Sequence, residues 1–360
     1  MRKCRICGFP RRFTRFIEWN SDGTMIGRIR PRIPVMLLEV SEWDSIFYEL
    51  SSTLGIPIDH ILIDAQKNIG KGIYETVRVT HLSYDIKKLP ARWYFRPQWG
   101  AKLFVWTIRN DLAGLGAGRV KLVSYHSGKD ALIRMSDPCL NPMIVGNCQG
   151  IYESAEKMPS SNAEYRLENG DLVIHLTHAS ERGGSEERLY LEEVVPGTGP
   201  LVYERCSHCN VPVQFARSVS WDIPRGIISN PISGERLEFM AVQSVNAILR
   251  ELENELGEEI VHILYDAQKR FSLGRLGGTS VEDPEAFWDA YLLEMALSGL
   301  GYPERFDRTG DSISVEILNA YNQDLYAAKL AAGFEKVTGR GPQIHWEQRD
   351  RHYGIYTITT

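Results

Sequence analysis

The fold is decided by a stretch that occurs twice, as IDHILIDAQK over residues 58–67 and as IVHILYDAQK over residues 260–269. The two stretches lie 202 positions apart. When residues 4–72 are laid over residues 206–274 at this offset, 22 of the 69 positions are identical and no gap is needed. Similarity at a fixed period indicates an internal repeat. The sequence therefore predicts a tandem duplication.

The second copy is shorter than the first. Gly114-Leu115-Gly116 matches Gly299-Leu300-Gly301 at an offset of 185 instead of 202, so the first copy carries about 17 more residues before this motif. A stretch rich in glycine, proline and charge, residues 178–200, separates the copies. We predict a first repeat over residues 1–180, a linker over residues 181–202 and a second repeat over residues 203–360.

Composition bounds the class of protein. The chain has 360 residues, of which 43% are hydrophobic and 24% charged, a balance that suits two domains with a core each. No apolar run approaches the roughly 18 residues that cross a bilayer, and the amino terminus lacks the apolar core of a signal peptide. The net charge of −5 argues against general attraction to nucleic acid. We expect a cytoplasmic protein with no membrane span.

Each copy is predicted to be α+β. Asp22-Gly23 is a turn signal between two short strands, and a helix capped by Ser41 ends at Gly55. A second helix follows from Pro57, a third comes after it, and a strand, a helix and a hairpin close the copy. We expect helices packed over a small antiparallel sheet, with a Cys-x2-Cys knuckle hairpin at the start of each copy.

Three features carry a resemblance to a known family: Leu54-Gly55 before the second helix, Gly114-Leu115-Gly116, and residues 141–153 before the closing hairpin. With this order of elements, each copy resembles the 4-vinyl reductase domain. The fold of that domain is similar to those of the haem nitric-oxide-binding and Bet-type vesicle-tethering proteins. The resemblance covers most of both copies, and the cysteine knuckles are an addition to it. It implies a sensor that binds a small hydrophobic or tetrapyrrole-like ligand.

Four of the six cysteines form two Cys-x2-Cys pairs, Cys4 with Cys7 and Cys206 with Cys209. Two thiolates at this spacing bind one metal in a tight turn, but each pair is only half of a tetrahedral site. Neither copy has a second pair nearby, so we expect the four thiols to meet across a pseudo-two-fold axis and hold one structural zinc ion. The alternatives are a thiol pair completed by His208 or by another subunit, and a redox pair.

A polar stripe on the second helix is retained in both copies, roughly opposite the apolar face. It consists of His60, Asp64 and Lys67 in the first copy and of His262, Asp266 and Lys269 in the second. Retention while the copies diverged indicates a constraint. The stripe forms either an intrahelical histidine–aspartate pair or a contact between copies, or it is a ligand or acid–base site in which aspartate orients the imidazole.

The extra residues of the first copy fall in an aromatic stretch around residues 87–106, which includes Trp93 and Trp99. Such a cluster is expected either to roof an apolar ligand pocket or only to cover core. Because the stretch occurs in one copy, we expect any ligand site to be asymmetric.

The sequence has no glycine-rich phosphate loop, no His-x3-His pair and no dinucleotide fingerprint, which removes the easily recognised enzyme classes. We therefore expect a zinc-stabilised binding or sensor protein, with a small hydrophobic or tetrapyrrole-like molecule as its ligand. Two alternatives stay open. One is an enzyme acting on such a molecule through a histidine–aspartate acid–base pair, and the other is a protein or nucleic-acid adaptor that uses the basic amino-terminal knuckle.

Overall fold

A computed structural model describes residues 2–27, 32–77, 97–179, 195–310, 312–350 and 352–360. Over these ranges the protein has nine α-helices and three antiparallel β-sheets, so the predicted α+β class is confirmed. None of the described helices combines the length and the apolar character needed to cross a membrane. Most of the predicted linker and of the aromatic stretch lies outside the described residues, at residues 181–194 and 87–96.

The first half runs to His178 and the second starts at residue 195. After a 3-10 turn at Phe13–Arg15, the elements of the first half are β1 (Ile17–Trp19), β2 (Met25–Gly27), β3 (Pro34–Glu39), α1 (Val40–Leu54), α2 (Asp59–Val77), α3 (Pro97–Leu115), β4 (Arg119–His126), β5 (Asp130–Ser136), α4 (Asn141–Glu156), β6 (Ser161–Glu168) and β7 (Asp171–His178). Those of the second half are α5 (Val213–Ser218), β8 (Ser220–Asp222), β9 (Ile227–Ser229), β10 (Arg236–Ala241), α6 (Val242–Leu256), α7 (Ile260–Arg275), α8 (Pro284–Leu297), β11 (Tyr302–Thr309), β12 (Ser312–Leu318), α9 (Gln323–Thr338), β13 (Gln343–Asp350) and β14 (Tyr353–Thr359).

Helix α1 illustrates how local sequence sets these bounds. Its buried residues Ile46 and Leu50 recur at helical spacing, and it ends at Gly55, whose φ of +67° suits glycine. The predicted cap by Ser41 is wrong, because the helix already begins at Val40. The Ser41 hydroxyl instead donates a hydrogen bond to Glu235 in the second half, at 2.8 Å.

A six-stranded sheet joins the two halves, in the order β1-β2-β3-β10-β9-β8. At its centre β3 and β10 pair antiparallel, with Leu37 opposite Phe239. These two residues are 202 positions apart. Val35 lies opposite Ala241, and Glu39 lies opposite Leu237, so exchange of residues 202 apart maps this register onto itself. A local two-fold axis therefore passes between Leu37 and Phe239.

Glycines from each half approach this central junction. A Cβ on Gly116 would lie 2.5 Å from the carbonyl oxygen of Leu237, and a Cβ on Gly299 would lie 2.7 Å from that of Val35. Both glycines also have positive φ, a conformation that residues with a side chain rarely adopt. Space and backbone conformation therefore both require glycine here. Gly116 thus corresponds to Gly299, so the offset at this motif is 183 and not the predicted 185. The first half therefore has 19 more residues than the second before this motif, not 17, because 202 exceeds 183 by 19.

The two four-stranded sheets have equivalent orders, β4-β5-β7-β6 and β11-β12-β14-β13. In each half two strands precede a helix, α4 or α9, and a hairpin follows it. The predicted strand, helix and hairpin are confirmed. The sequence missed the first strand of each sheet, β4 and β11, which lie at sheet edges and bury few side chains.

The first helix of each half packs chiefly against the other half. Helix α1 lies on α7, and α6 lies on α2. Hydrogen bonds also link the halves here: Lys329 of α9 donates to Glu42 of α1 at 2.7 Å, and Ser244 of α6 donates to Gln66 of α2 at 2.7 Å. As a result, one hydrophobic cluster contains buried residues of both halves.

Candidate metal centre

The two cysteine knuckles are built from the same backbone hydrogen bonds. The amide of Cys4 donates to the carbonyl of Phe9 at 2.7 Å, and the amide of Cys206 donates to that of Val211 at 2.9 Å. The residue after the second cysteine has positive φ in both turns, +75° at Gly8 and +61° at Asn210. Glycine and asparagine tolerate this conformation best.

The structure brings all four predicted thiols together. The Sγ atoms of Cys4 and Cys206 lie 3.8 Å apart, those of Cys7 and Cys209 lie 3.3 Å apart, and all four lie within 4.8 Å of one another. A tetrahedral thiolate site with metal–sulfur distances of about 2.3 Å has sulfur–sulfur edges of about 3.8 Å. The four thiols could therefore hold one metal ion without rearrangement of the knuckles.

Burial and hydrogen bonding act in opposite directions on the innermost thiols. Cys4 and Cys206 are 4% and 3% exposed, and burial alone would raise their pKa. The amides of Ile6 and Cys7 outweigh burial at Cys4 and lower its pKa to about 7, and those of His208 and Cys209 lower the pKa of Cys206. Both inner thiols therefore reach the thiolate form that binds metal more readily than a free cysteine.

Contacts between the halves hold the knuckles in this position. Lys3 donates to the carbonyl of Trp221 at 3.5 Å, and Arg205, 202 residues after Lys3, donates to the carbonyl of Trp19 at 2.8 Å. Beneath the thiols, the rings of Phe9 and Trp221 lie 4.9 Å apart. The ring of Trp19 lies 4.8 Å from that of Phe215, which is on α5 of the second half. Each knuckle is thus fixed to the tryptophan strand of the opposite half.

The polar stripe lies on the surface. His60, Asp64, His262 and Asp266 are exposed. Lys67 donates to Asp64 at 3.1 Å, whereas Lys269 pairs with Glu335 on α9 at 2.7 Å. The structure therefore brings Asp64 and Lys67 together, while the equivalent lysine of the second half has a different partner.

Of the two predicted pocket tryptophans, Trp93 lies outside the described residues, and Trp99 lies in the first turn of α3. In the same helix, Phe104 is buried and Trp106 is exposed. The role of this stretch stays a prediction.

A cavity of about 240 Å³ between the two halves was not predicted. It lies between β3, α1, α7, α8 and α9. Its apolar walls include Met36, Trp43, Met295 and Leu300, and its polar residues include Glu39, Glu42, Arg275, Glu294, Tyr321 and Lys329. The polar residues were missed because the search followed identities between the copies. A search for charged residues that one copy has and the other lacks would have found Glu42, which stands where the second copy has Ser244.

Comparison with models of known protein families, with curated proteins and with solved structures finds no match to this chain.

Proposed function

We propose that the protein is a tandemly duplicated, zinc-stabilised binding protein for a small ligand. The observation that carries the proposal is the cluster of four thiols, two from each half, at near-tetrahedral spacing. Zinc is the metal that such all-thiolate tetrahedral sites favour. Because four thiolates leave no open coordination position, the zinc is structural.

The self-equivalent register of β3 and β10 and the matched strand orders of the outer sheets support the duplication. In this arrangement the zinc joins the two copies through their cysteine knuckles. The ion joins residues 202 positions apart, and because the unfolded chain does not assemble the four thiols, the free energy of zinc binding stabilises the folded state.

The cavity between the halves supports the ligand-binding part of the proposal. An apolar cavity of about 150 Å³ accommodates a benzene molecule, so a volume of 240 Å³ suits a compact molecule with one ring. The function that we favour is therefore binding of a small, single-ring-sized molecule.

The catalytic alternative has weaker support. Neither His60 nor His262 lines the cavity, and both histidines are exposed. Acid–base chemistry on a bound ligand would require an imidazole within hydrogen-bond reach of it.

Metal analysis of the purified full-length chain tests the zinc assignment. We expect one zinc per monomer, loss of that zinc in Cys4→Ser and in Cys206→Ser, and full retention in the control His208→Ala. Two zinc ions per chain, zinc held between two chains, or zinc lost in His208→Ala would contradict a shared four-thiolate site. Mass spectrometry of the protein under native conditions tests ligand binding, and we expect a co-purified small molecule.

A further inference from the structure

The four thiols of the metal centre differ in their access to solvent. Cys7 and Cys209, which we call the outer pair, are half-buried, and both neighbours of each along the chain are exposed. Cys4 and Cys206, the inner pair, are only 4% and 3% exposed. A small oxidant dissolved in water therefore reaches one thiol of each knuckle and not the other.

The outer pair is also the closer of the two pairs that join the halves. Its Sγ atoms lie 3.3 Å apart, whereas those of the inner pair lie 3.8 Å apart. A disulfide bond is about 2.05 Å long, so the outer sulfur atoms have to approach by about 1.25 Å to form one. Because Cys7 and Cys209 belong to different halves, this bond would link the two knuckles where the metal ion links them.

The two cysteines outside the metal centre are poor targets for oxidation. The reactive form of cysteine is the thiolate. Burial raises the pKa of Cys139 well above its ordinary 9.0 and raises that of Cys148 to about 12, so both stay protonated at neutral pH. A thiol bound to zinc is instead deprotonated. Oxidation is therefore directed to the metal centre, and within it to the outer pair.

We infer that Cys7 and Cys209 form an oxidation site, at which hydrogen peroxide converts the zinc-bound outer pair into a disulfide bond between the halves and releases the ion. The inference rests on the zinc assignment proposed above and adds a redox response to it. Oxidation of the outer pair leaves the ion two thiolates, half of the ligands of a tetrahedral site. The disulfide keeps the knuckles joined after the zinc has left.

The reaction consumes one peroxide per chain. The thiolate of Cys7 attacks one oxygen of hydrogen peroxide, so that a sulfur–oxygen bond forms, the oxygen–oxygen bond breaks and hydroxide leaves. The thiolate of Cys209 then attacks the sulfur of this sulfenic acid, so that the disulfide forms and a second hydroxide leaves. Two protons from the solvent convert both hydroxides to water. The two thiolates lose two electrons and the peroxide gains them, and the same products form if Cys209 reacts first.

Equimolar hydrogen peroxide added to the zinc-loaded full chain tests the inference. A chelating dye measures zinc release, and mass spectrometry of a digest prepared without reductant maps the disulfide bonds. We expect one zinc released per peroxide consumed, a bond between Cys7 and Cys209 as the main product, and uptake of zinc again after dithiothreitol reduces this bond. The controls Cys139→Ser and Cys148→Ser should respond like the wild type.

Two further variants separate the outer pair from the inner pair. Cys4→Ser and Cys7→Ser each remove one of the four zinc ligands, so they disturb the metal centre alike. Peroxide should still link Cys7 to Cys209 in Cys4→Ser. In Cys7→Ser the link between the halves should be lost, because Cys209 is then the one half-buried thiol of the centre.

Three results would overturn the oxidation site but keep the zinc assignment. They are zinc retained at equimolar peroxide, a main bond within one knuckle or between Cys4 and Cys206, and oxidation that begins at Cys139 or Cys148. A link between the halves that persists in Cys7→Ser would have the same consequence. A purified chain that binds no zinc would overturn both.

Discussion

Substitution of Lys329 tests the charge balance that distinguishes the two halves. The lysine ammonium contacts both oxygens of Glu42, at 2.7 and 2.8 Å, and each side chain is only 10% exposed. Lys329→Met keeps the unbranched apolar stem and removes the charge. The substitution therefore leaves the carboxylate of Glu42 buried without its cation.

Loss of one partner from a buried ion pair destabilises a protein by about 3–5 kcal/mol. The neighbouring cavity gives the remaining carboxylate some access to water, so we expect a value near the lower end, about 3 kcal/mol. The double substitution Lys329→Met with Glu42→Gln leaves no buried charge and should recover most of that loss. The residues at the equivalent positions, Asn147 on α4 and Ser244 on α6, are neutral, which indicates that this position does not require charge.

Urea denaturation of the zinc-loaded wild type, both single variants and the double variant measures these free energies of unfolding. The four proteins form a double-mutant cycle, from which we expect a coupling energy of about 2 kcal/mol or more. A loss below 1 kcal/mol in Lys329→Met, or a double variant that loses the sum of the two single effects, would refute the reasoning.

Three more predictions follow from named contacts. Burial raises the pKa of Glu238 from its ordinary 4.5 to about 7, so the folded state holds that proton more tightly and wild-type stability falls as pH rises through this window. Glu238→Gln should therefore be more stable than wild type above pH 7 by up to about 3 kcal/mol, with no advantage at pH 4, in thermal unfolding followed against pH. Gly116→Ala places a Cβ 2.5 Å from the Leu237 carbonyl oxygen at a φ of +96°, so it should lower the free energy of unfolding, measured in urea, by about 3 kcal/mol or more. The control Gly128→Ala, which has open space around the added Cβ, should lower it by about 1 kcal/mol. Removal of zinc by a chelator should speed amide hydrogen exchange in both knuckles, residues 2–12 and 204–213, before it affects the helices; exchange confined to one knuckle would contradict a shared ion.

The metal centre could be predicted because a two-fold arrangement brings equivalent residues together. Cys4 and Cys206 stand at equal positions in the two copies, so each half-site indicates its missing partner. Equivalence of positions also accounts for the pairing of Leu37 with Phe239. It does not predict that α1 packs on α7 and α6 on α2. Strand and helix patterns specify the elements, and several ways of pairing them between two copies bury the same apolar faces.

The cavity could not be predicted from identities, because it depends on the positions where the copies differ. Gly70 against Ser272 and Asn147 against Lys329 look like ordinary divergence in the sequence. Only the helix contact reveals that a side chain at Gly70 would overlap the backbone of the facing helix. The offset of 185 failed for a related reason. The Gly-x-Gly pattern occurs in overlapping positions, and the contact with the β3–β10 junction selects Gly116 as the partner of Gly299.

X-ray absorption at the zinc edge, combined with the zinc content of the monomer, tests the central claim most directly. We expect one zinc per chain with four sulfur neighbours at about 2.3 Å and no nitrogen or oxygen in the first shell. A shell that mixes sulfur with nitrogen or oxygen, or more than one zinc per chain, would show that the four cysteines of the two halves do not share one ion.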